Sequence, residues 1–373
     1  MIDRFLELRD RALANPDVLA RASGTWLGRQ IARREARALF DVTAGFVYSQ
    51  VLRAAVELDL LAILLERPID VAQLAERLDL TAEAALALLV AAEPLRLVEP
   101  RRGGRWGLGR RGAALLGNPG AIAMVRHHDL FYRELADPVA LLRRGHGEAM
   151  SRFWPYARGG SAVPAGAEEA YSQLMAASQA FVAREVLAAV SLRRHARLLD
   201  VGGGDGVFAR AAAERHPHLE VTVLDLAPVA ARAAERLADL GPRVRAVAGD
   251  FLVDPLPRGA DVVTLVRVVH DHDDARAATL LRRCHDALPA GGTLVLAEPM
   301  AGRPAAPGLA PYFSFYLFAM GSGRPRTARE LIAIVRAAGF VAARLRSPRN
   351  PTACDVLVAH KARVRSTENV KPN

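Results

Sequence analysis

The chain has 373 residues, 51% apolar and 24% charged, with a formal net charge of +10, and this balance leaves no difficulty in burying a core over one large domain or two smaller ones. Two cysteines, Cys284 and Cys354, exclude a disulfide framework and fit a reducing compartment. The N-terminus, MIDRFLELRDRALANPDVLA, is charged throughout, and no stretch reaches the roughly 20 apolar residues of a membrane span, so a cytoplasmic protein is expected.

The positive charge is almost all Arg, with Lys only at Lys361 and Lys371, which reads as compositional bias. Its concentration in residues 101–150 and 301–350 is also compatible with peripheral contact with an anionic membrane surface.

In chain order, residues 29–66 keep apolar side chains at three- and four-residue spacing and read as helices. The following stretch, DVAQLAERLDLTAEAALALLVAAEPLRLVEP, reads as two short helices, with Thr81 the N-cap of the second and Glu83 in its first turn. RLVEPRRGGRWGLGRRGAALL then reads as a hairpin turning at Gly103-Gly104. Helix, turn, helix and hairpin together make a winged-helix layout.

A DNA-binding winged helix needs a basic recognition helix. Here residues 55–92 set Arg67 and Arg77 against seven acids, which repels phosphate. Dimerisation is the better reading, and no nucleic-acid partner is expected. A winged-helix regulator stays open as an alternative because the hairpin itself is basic.

Residues 120–196 carry aromatic and Met-bearing helices, MVRHHDLFYREL, SRFWPYARG and EEAYSQLMAASQAFVAREVLAAV. From Arg197 strands alternate with helices: RLLDV, FARAAAERH, EVTVLDL, APVAARAAERLADL, VRAVAGD, DVVTLVRVV, DARAATLLRRCHDAL, TLVLAEP. The fold class expected is α/β, a Rossmann-like doubly wound parallel sheet behind an α-helical winged-helix domain, with ligands at the carboxyl ends of the strands.

LLDVGGGDGVFARA runs a strand through a glycine loop into a helix. The spacing is G-x-G-x-G, with Val207 where the dinucleotide fingerprint expects Gly or Ala, and no Gly-Lys-Ser/Thr follows, which excludes a P-loop. Asp200, Asp225 and Asp250 stand at the ends of successive strands, with Phe251 next to the last. A carboxylate at the second strand end suits the ribose hydroxyls of an adenosine, and Phe251 suits its adenine. Together these residues describe a pocket for an adenosyl ligand without a pyrophosphate.

LLDVGGGDG, VLDLAP, AGDF, RVVHDHDD and GGTLVLAEPM, in that order, resemble the S-adenosylmethionine-dependent O-methyltransferases of plant phenolic and bacterial polyketide chemistry, over residues 35–360. Within that family, ALFDVTAGFVYSQVL and YFSFYLFAMGSGRPRT look like the purple-bacterial enzymes that methylate hydroxylated acyclic carotenoids.

The resemblance implies S-adenosylmethionine as cofactor, with Gly202, Gly203 and Gly204 at its methionine part, Asp225 at the ribose, and Asp250 with Phe251 at the adenine. The family's catalytic His falls on His270, with Asp271 following. Its flanking Glu falls on Glu298, while a second Glu, near Pro325, is missing. The family's Trp is His272 here, and its strand Lys is replaced one position away by Arg267, a possible cofactor contact.

The resemblance further implies a homodimer, an apolar carotenoid acceptor and, with it, peripheral contact with the photosynthetic inner membrane. A bacteriochlorophyll precursor, polyketide or phenol remains an alternative acceptor. The expected division is residues 1–118 as helical arm and dimerisation domain, 119–196 as linker and substrate-pocket helices, 197–362 as cofactor domain, and 363–373 as a disordered tail.

The segment VRVVHDHDD admits a second reading. In an extended chain His270, His272 and Asp274 would point one way, like an H-x-H-x-D metal run, but further histidine ligands are lacking and no metal is expected. His270 at a strand end fits a general base better, and Asp273 and Asp274 fit capping of the next helix. An apolar acceptor needs an apolar channel. Phe153, Trp154, Tyr156, Tyr171, Met175, Gln179 and Phe181 are candidates for it. APYFSFYLFAM, with Tyr312, Phe315 and Tyr316, is a candidate wall or lid.

Overall fold

The computed structural model describes residues 2–153, 167–346, 348–350 and 354–363, and of residues 167–177 the backbone alone. Two compact units form, Met1–Gly117 and Asn118–Asn373.

The first unit opens with α1 (Ile2–Leu13), α2 (Pro16–Ser23) and the long α3 (Trp26–Glu57). It continues through α4 (Leu60–Glu66), α5 (Val71–Leu78) and α6 (Ala82–Ala92) to the hairpin β1 (Val98–Pro100) and β2 (Trp106–Leu108), and ends in α7 (Arg110–Leu116). Leu60, Leu64, Leu74, Leu89 and Val98 share one buried cluster that joins helices to hairpin. The start of α6 obeys the local rule read from sequence: Thr81 Oγ1 accepts from the Ala84 amide at 3.1 Å, and Glu83 lies in the first turn. The hairpin turns through Gly103 and Gly104, both at positive φ.

The second unit begins with α8 (Pro119–Leu135), α9 (Pro138–Arg144), α10 (Glu148–Phe153) and α11 (Ala167–Ala189). The alternating part follows as β3 (Arg197–Val201), α12 (Val207–Arg215), β4 (Glu220–Asp225), α13 (Ala227–Leu237), β5 (Val244–Ala248), β6 (Val262–Val266), α14 (Asp274–Ala287) and β7 (Thr293–Glu298). It closes with α15 (Leu309–Met320), α16 (Ala328–Ala337), β8 (Phe340–Arg346) and β9 (Asp355–Lys361). The helices α8–α11 thus belong to the same compact unit as the sheet.

The sheet order is β5-β4-β3-β6-β7-β9-β8, parallel up to β7 and antiparallel at β9 and β8. Every residue of β6 and β7 is buried, as expected of central strands covered on both faces. The order reverses between β3 and β6, which places the switch point, and with it the expected ligand crevice, beyond the ends of those strands. The last two strands were not read from sequence. β8, FVAARLR, is a largely exposed edge, and a register shift between Val341 and Arg344 breaks its alternation.

Candidate active site

The glycine loop leaves β3 at Val201 and turns through Gly202, Gly204 and Gly206, all at positive φ. At Gly202 a Cβ would come within 2.9 Å of Val268, and at Gly203 within 2.5 Å of the Asp200 carboxylate, so packing demands glycine there. At Gly204 a Cβ would meet nothing within 4 Å, which leaves open room beside the backbone at the tip of the loop.

Asp225, at the end of β4, reaches back to that tip: its Oδ2 accepts from the Gly204 amide at 2.8 Å and its Oδ1 from the Leu226 amide at 2.8 Å. Each oxygen keeps acceptor capacity for a ribose hydroxyl. Burial is the main cause that pushes the Asp225 carboxyl up to about 6, against those two amides. Phe251 lies on the same rim, 3.5 Å from where a Gly202 Cβ would stand, and its ring meets His272 edge-on at 5.5 Å.

Asp250 faces its own loop, its Oδ1 accepting from the Leu252 amide at 2.8 Å. Asp200 is fully buried beneath the loop; Thr264 donates to its Oδ1 at 2.6 Å, and Oδ2 has no hydrogen-bond partner among the described residues. An adenosyl group fits this rim, with open space at Gly204, a ribose acceptor in Asp225 and an aromatic face in Phe251.

His270 sits on a 3₁₀ turn, Val269–Asp271, between β6 and α14, so the alternation that would align it with His272 and Asp274 does not arise. Arg267 turns the chain out of β6 at a left-handed φ of 58°, a conformation that costs a residue other than glycine ~1–2 kcal/mol. The three amides of Val268, Val269 and His270 all donate to the Glu298 carboxylate, at 3.1, 2.7 and 3.3 Å, and Glu298 Oε2 also pairs with His270 Nδ1. On the other ring nitrogen, Nε2, the Asp271 carboxylate stands at 3.1 Å. Burial alone would depress His270, but Asp271 and then Glu298 outweigh it and hold the imidazole above its ordinary pKa, with Arg267 opposing them.

The carbonyls of the same turn are taken from the far side, by the segment between α15 and α16. Arg326 Nη1 donates to Val269 O at 2.9 Å and Nη2 to His272 O at 2.7 Å. The Arg324 amide donates to His270 O at 2.9 Å, and Ser322 Oγ to Asp271 O at 2.7 Å. Arg326 is 2% exposed, and its counter-charge is Asp274. Asp273 caps α14 as read from sequence, through the Arg276 amide; Asp274 instead serves the ion pairs with Arg324 and Arg326.

Beside His270, α15 presents an aromatic face. Phe313 meets the His270 ring edge-on at 5.9 Å and Tyr312 at 5.1 Å, while Tyr312 and Tyr316 stack at 5.8 Å. Two histidines of α8 satisfy the tyrosine hydroxyls: His127 Nε2 lies 2.6 Å from Tyr316 Oη and His128 Nε2 2.8 Å from Tyr312 Oη. Burial depresses both histidines, His127 to about 4, so each is neutral and presents one acceptor nitrogen. Phe153 closes on His127 at 4.6 Å between ring centres.

Of the residues read from sequence, Gly202, Gly203, Gly204, Asp225 and Phe251 converge on one rim, and His270, Asp271 and Glu298 on the turn next to it. Phe153, Tyr312 and Tyr316 belong to one aromatic cluster with Phe131 and Met320. Phe315 does not; it is 37% exposed, and its ring lies 6.3 Å from that of Phe318 at the cluster's margin. Arg267 Nη1 donates to the Ser178 hydroxyl of α11 at 3.2 Å. Gln179 Oε1 is buried without a partner among the described residues. Trp154 and Tyr156 lie outside the described residues, as do the side chains of Tyr171 and Met175.

Sequence reading missed His127, His128, Ser322, Arg324 and Arg326. The adjacent histidines in a helix that also carries Phe131 and Tyr132 were the available signal for the first two; nothing marks Arg326 among the Arg-rich surroundings.

Comparison with known proteins identifies the family. Residues 132–341 match the O-methyltransferase domain family and residues 40–117 the O-methyltransferase dimerisation domain family. The demethylspheroidene O-methyltransferase of Rhodobacter capsulatus is 47% identical, covering 84% of this chain and 79% of that protein. The enzyme of the same name from Cereibacter sphaeroides is 44% identical over 84% of this chain and 83% of its own length. Human N-acetylserotonin methyltransferase, solved in complex with SAM, superposes with a TM-score of 0.71 at 25% identity, over 88% of this chain and 98% of that one. The chain therefore belongs to the S-adenosylmethionine-dependent O-methyltransferases.

Proposed function

We propose that the chain methylates the tertiary 1-hydroxyl of an acyclic carotenoid of the hydroxyneurosporene or demethylspheroidene type, as a step of spheroidene-type carotenoid biosynthesis. The observation that carries this reading is the buried His270–Glu298 pair set between the adenosyl rim and the aromatic face of α15. The two similar demethylspheroidene O-methyltransferases suggest the acceptor.

Bound S-adenosylmethionine supplies an activated sulfonium methyl group, so the protein's tasks are alignment, exclusion of water and proton removal. His270 takes the hydroxyl proton at Nε2 as the oxygen gains its new bond to carbon. A tertiary alcohol is a weak acid, so its proton leaves with bond formation, and a general base contributes ~10²–10⁴-fold. Glu298 at Nδ1 stabilises the imidazolium that forms, and Asp271 accepts the new Nε2–H. Tyr312 and Tyr316, with hydroxyls spent on His128 and His127, offer the acceptor ring faces rather than polar groups. Asp225 holds the ribose, the Gly202–Gly204 loop the methionine part, and Phe251 with Asp250 the adenine side.

The same reading includes a homodimer and a peripheral position on the membrane that dissolves the substrate. The exposed Leu39, Phe40, Val42 and Phe46 of α3 suit burial against a second copy, and the exposed Ile2, Phe5 and Leu8 of α1 suit a lipid surface. No helix among the described residues is long and apolar enough to cross a membrane.

The test incubates purified protein with labelled S-adenosylmethionine and, in separate reactions, a hydroxylated acyclic carotenoid, a bacteriochlorophyllide and a phenolic panel. Transfer to the carotenoid hydroxyl supports the reading, and transfer to another acceptor alone replaces it. Sedimentation velocity and vesicle co-flotation test the dimer and the membrane contact.

A further inference from the structure

The turn that carries His270 has its amides on one carboxylate and its carbonyls on one strap. The family's second carboxylate is missing near Pro325, and Arg326 stands one residue on. A buried guanidinium is costly unless its donors are used, and Arg326 uses them on Val269 O, His272 O and Asp274. The two carbonyls flank His270 on either side, so one rigid fork sets the pitch of the turn. Arg324 and Ser322 occupy the two carbonyls between them. Gly323, at φ 79°, lets the strap lie flat: a Cβ there would stand 2.0 Å from His270 O. The strap leaves α15 at Gly321, whose amide still bonds to Leu317 O and Phe318 O, so the helix that offers Phe313 to His270 also delivers the strap.

We propose that Ser322–Arg326 is a positioning strap in which Arg326 fixes the orientation of His270 relative to Glu298 and to the aromatic face of α15. Arg326 touches no reacting atom and acts through the turn. The inference rests on His270 being the base. The groups that face the imidazole are Asp271 from its own turn, Glu298 from β7, Arg267 from the end of β6 and the neighbouring His272; α15 adds only the Phe313 ring. Loosening the turn weakens the pairing with Asp271 and Glu298 that holds His270 protonated to higher pH, and its titration then moves down toward the ordinary histidine value.

The experiment compares full-length wild type with Arg326→Met, Arg326→Lys and Gly323→Ala, with His270→Ala in parallel. The His270 titration is followed by NMR on histidine-labelled protein without substrate. Then kcat and KM for S-adenosylmethionine are measured with the hydroxylated carotenoid across pH, alongside thermal unfolding. The strap predicts a lowered His270 titration in Arg326→Met and Gly323→Ala. It also predicts kcat down about 10²-fold, as expected for a misplaced catalytic group, with cofactor KM unchanged and partial rescue by Lys. A folded Arg326→Met with wild-type titration and kcat overturns it, and so does a loss equal at every pH that tracks the unfolded fraction. If Arg326→Met does not fold, Gly323→Ala, which removes no charge, decides by the same criteria. Turnover in His270→Ala would overturn the base itself, whereas a dead His270→Ala beside wild-type strap variants overturns only the strap.

Discussion

The two halves of the site are built by different rules. On the cofactor rim, each group stands at the end of a strand or in the loop after it, and the tie that joins them, Gly204 to Asp225, spans 21 residues. On the acceptor side, Arg326 reaches back 57 residues to Val269, and His128 meets Tyr312 across 184. The first half is an assembly of neighbouring strand ends in one parallel sheet, so its geometry follows from the sheet. The second is an assembly of elements far apart in the chain, each of which could have packed otherwise. The rim therefore tolerates little at its glycines, and under the proposed function selectivity for the acceptor falls to the turn and α15.

Substitutions can break this division. The largest effect is expected at His270→Ala, where turnover falls by ~10²–10⁴-fold while S-adenosylmethionine affinity, measured by calorimetry, stays at the wild-type value. Loss of cofactor binding in that variant would join the two halves that are separated here. Glu298→Gln keeps an acceptor for the turn's amides but removes the charge opposite Nδ1. It is expected to lower kcat about 10²-fold, and the His270 titration drops because a group that raises it is gone.

A pH profile sharpens the comparison from the acceptor side alone. The base must be neutral to accept a proton, and Asp271 and Glu298 outweigh burial to raise its pKa. The acid limb of kcat/KM should therefore fall as pH drops through a value above the ordinary ~6.5 of histidine. A limb below that value would mean that burial wins.

On the rim, Gly204→Ala forces a left-handed φ of 57° on a residue with a Cβ, at a cost of ~1–2 kcal/mol. Cofactor affinity should drop about tenfold, with kcat at saturation unchanged, as read by calorimetry and steady-state kinetics. The smallest effect is expected at His272→Phe. The ring keeps its edge-on contact with Phe251, and the buried Nδ1 that lacks a partner among the described residues is removed. Stability measured by denaturant unfolding should rise by ~1 kcal/mol, with turnover unchanged; a loss of activity would give His272 a role in the site.

Sequence by itself marked the residues of the rim and the proposed base. The run LLDVGGGDG, the carboxylates of Asp225 at the end of β4 and Asp250 just beyond β5, and His270 in the turn after β6 with Glu298 at the end of β7 are local patterns, because a parallel strand, its loop and the next helix form one continuous segment. Apolar periodicity likewise placed the helices between residue 29 and Ala92, and residue type the N-cap at Thr81, whereas α7 lay in a stretch read as hairpin. Tertiary structure alone decided what surrounds the base. Nothing in GSGRPRT distinguishes the buried Arg326 from the exposed arginines around it, since burial is set by what packs against a residue rather than by its type. Nothing in MVRHHDLFYREL says that its two histidines will cap the tyrosines of α15. The strands β8 and β9 also escaped, because their antiparallel pairing with each other and of β9 with β7 breaks the strand–helix alternation that marks the rest of the sheet. Contacts that close long loops leave no period in a sequence, and in this chain those contacts hold the His270 turn and the aromatic face of α15.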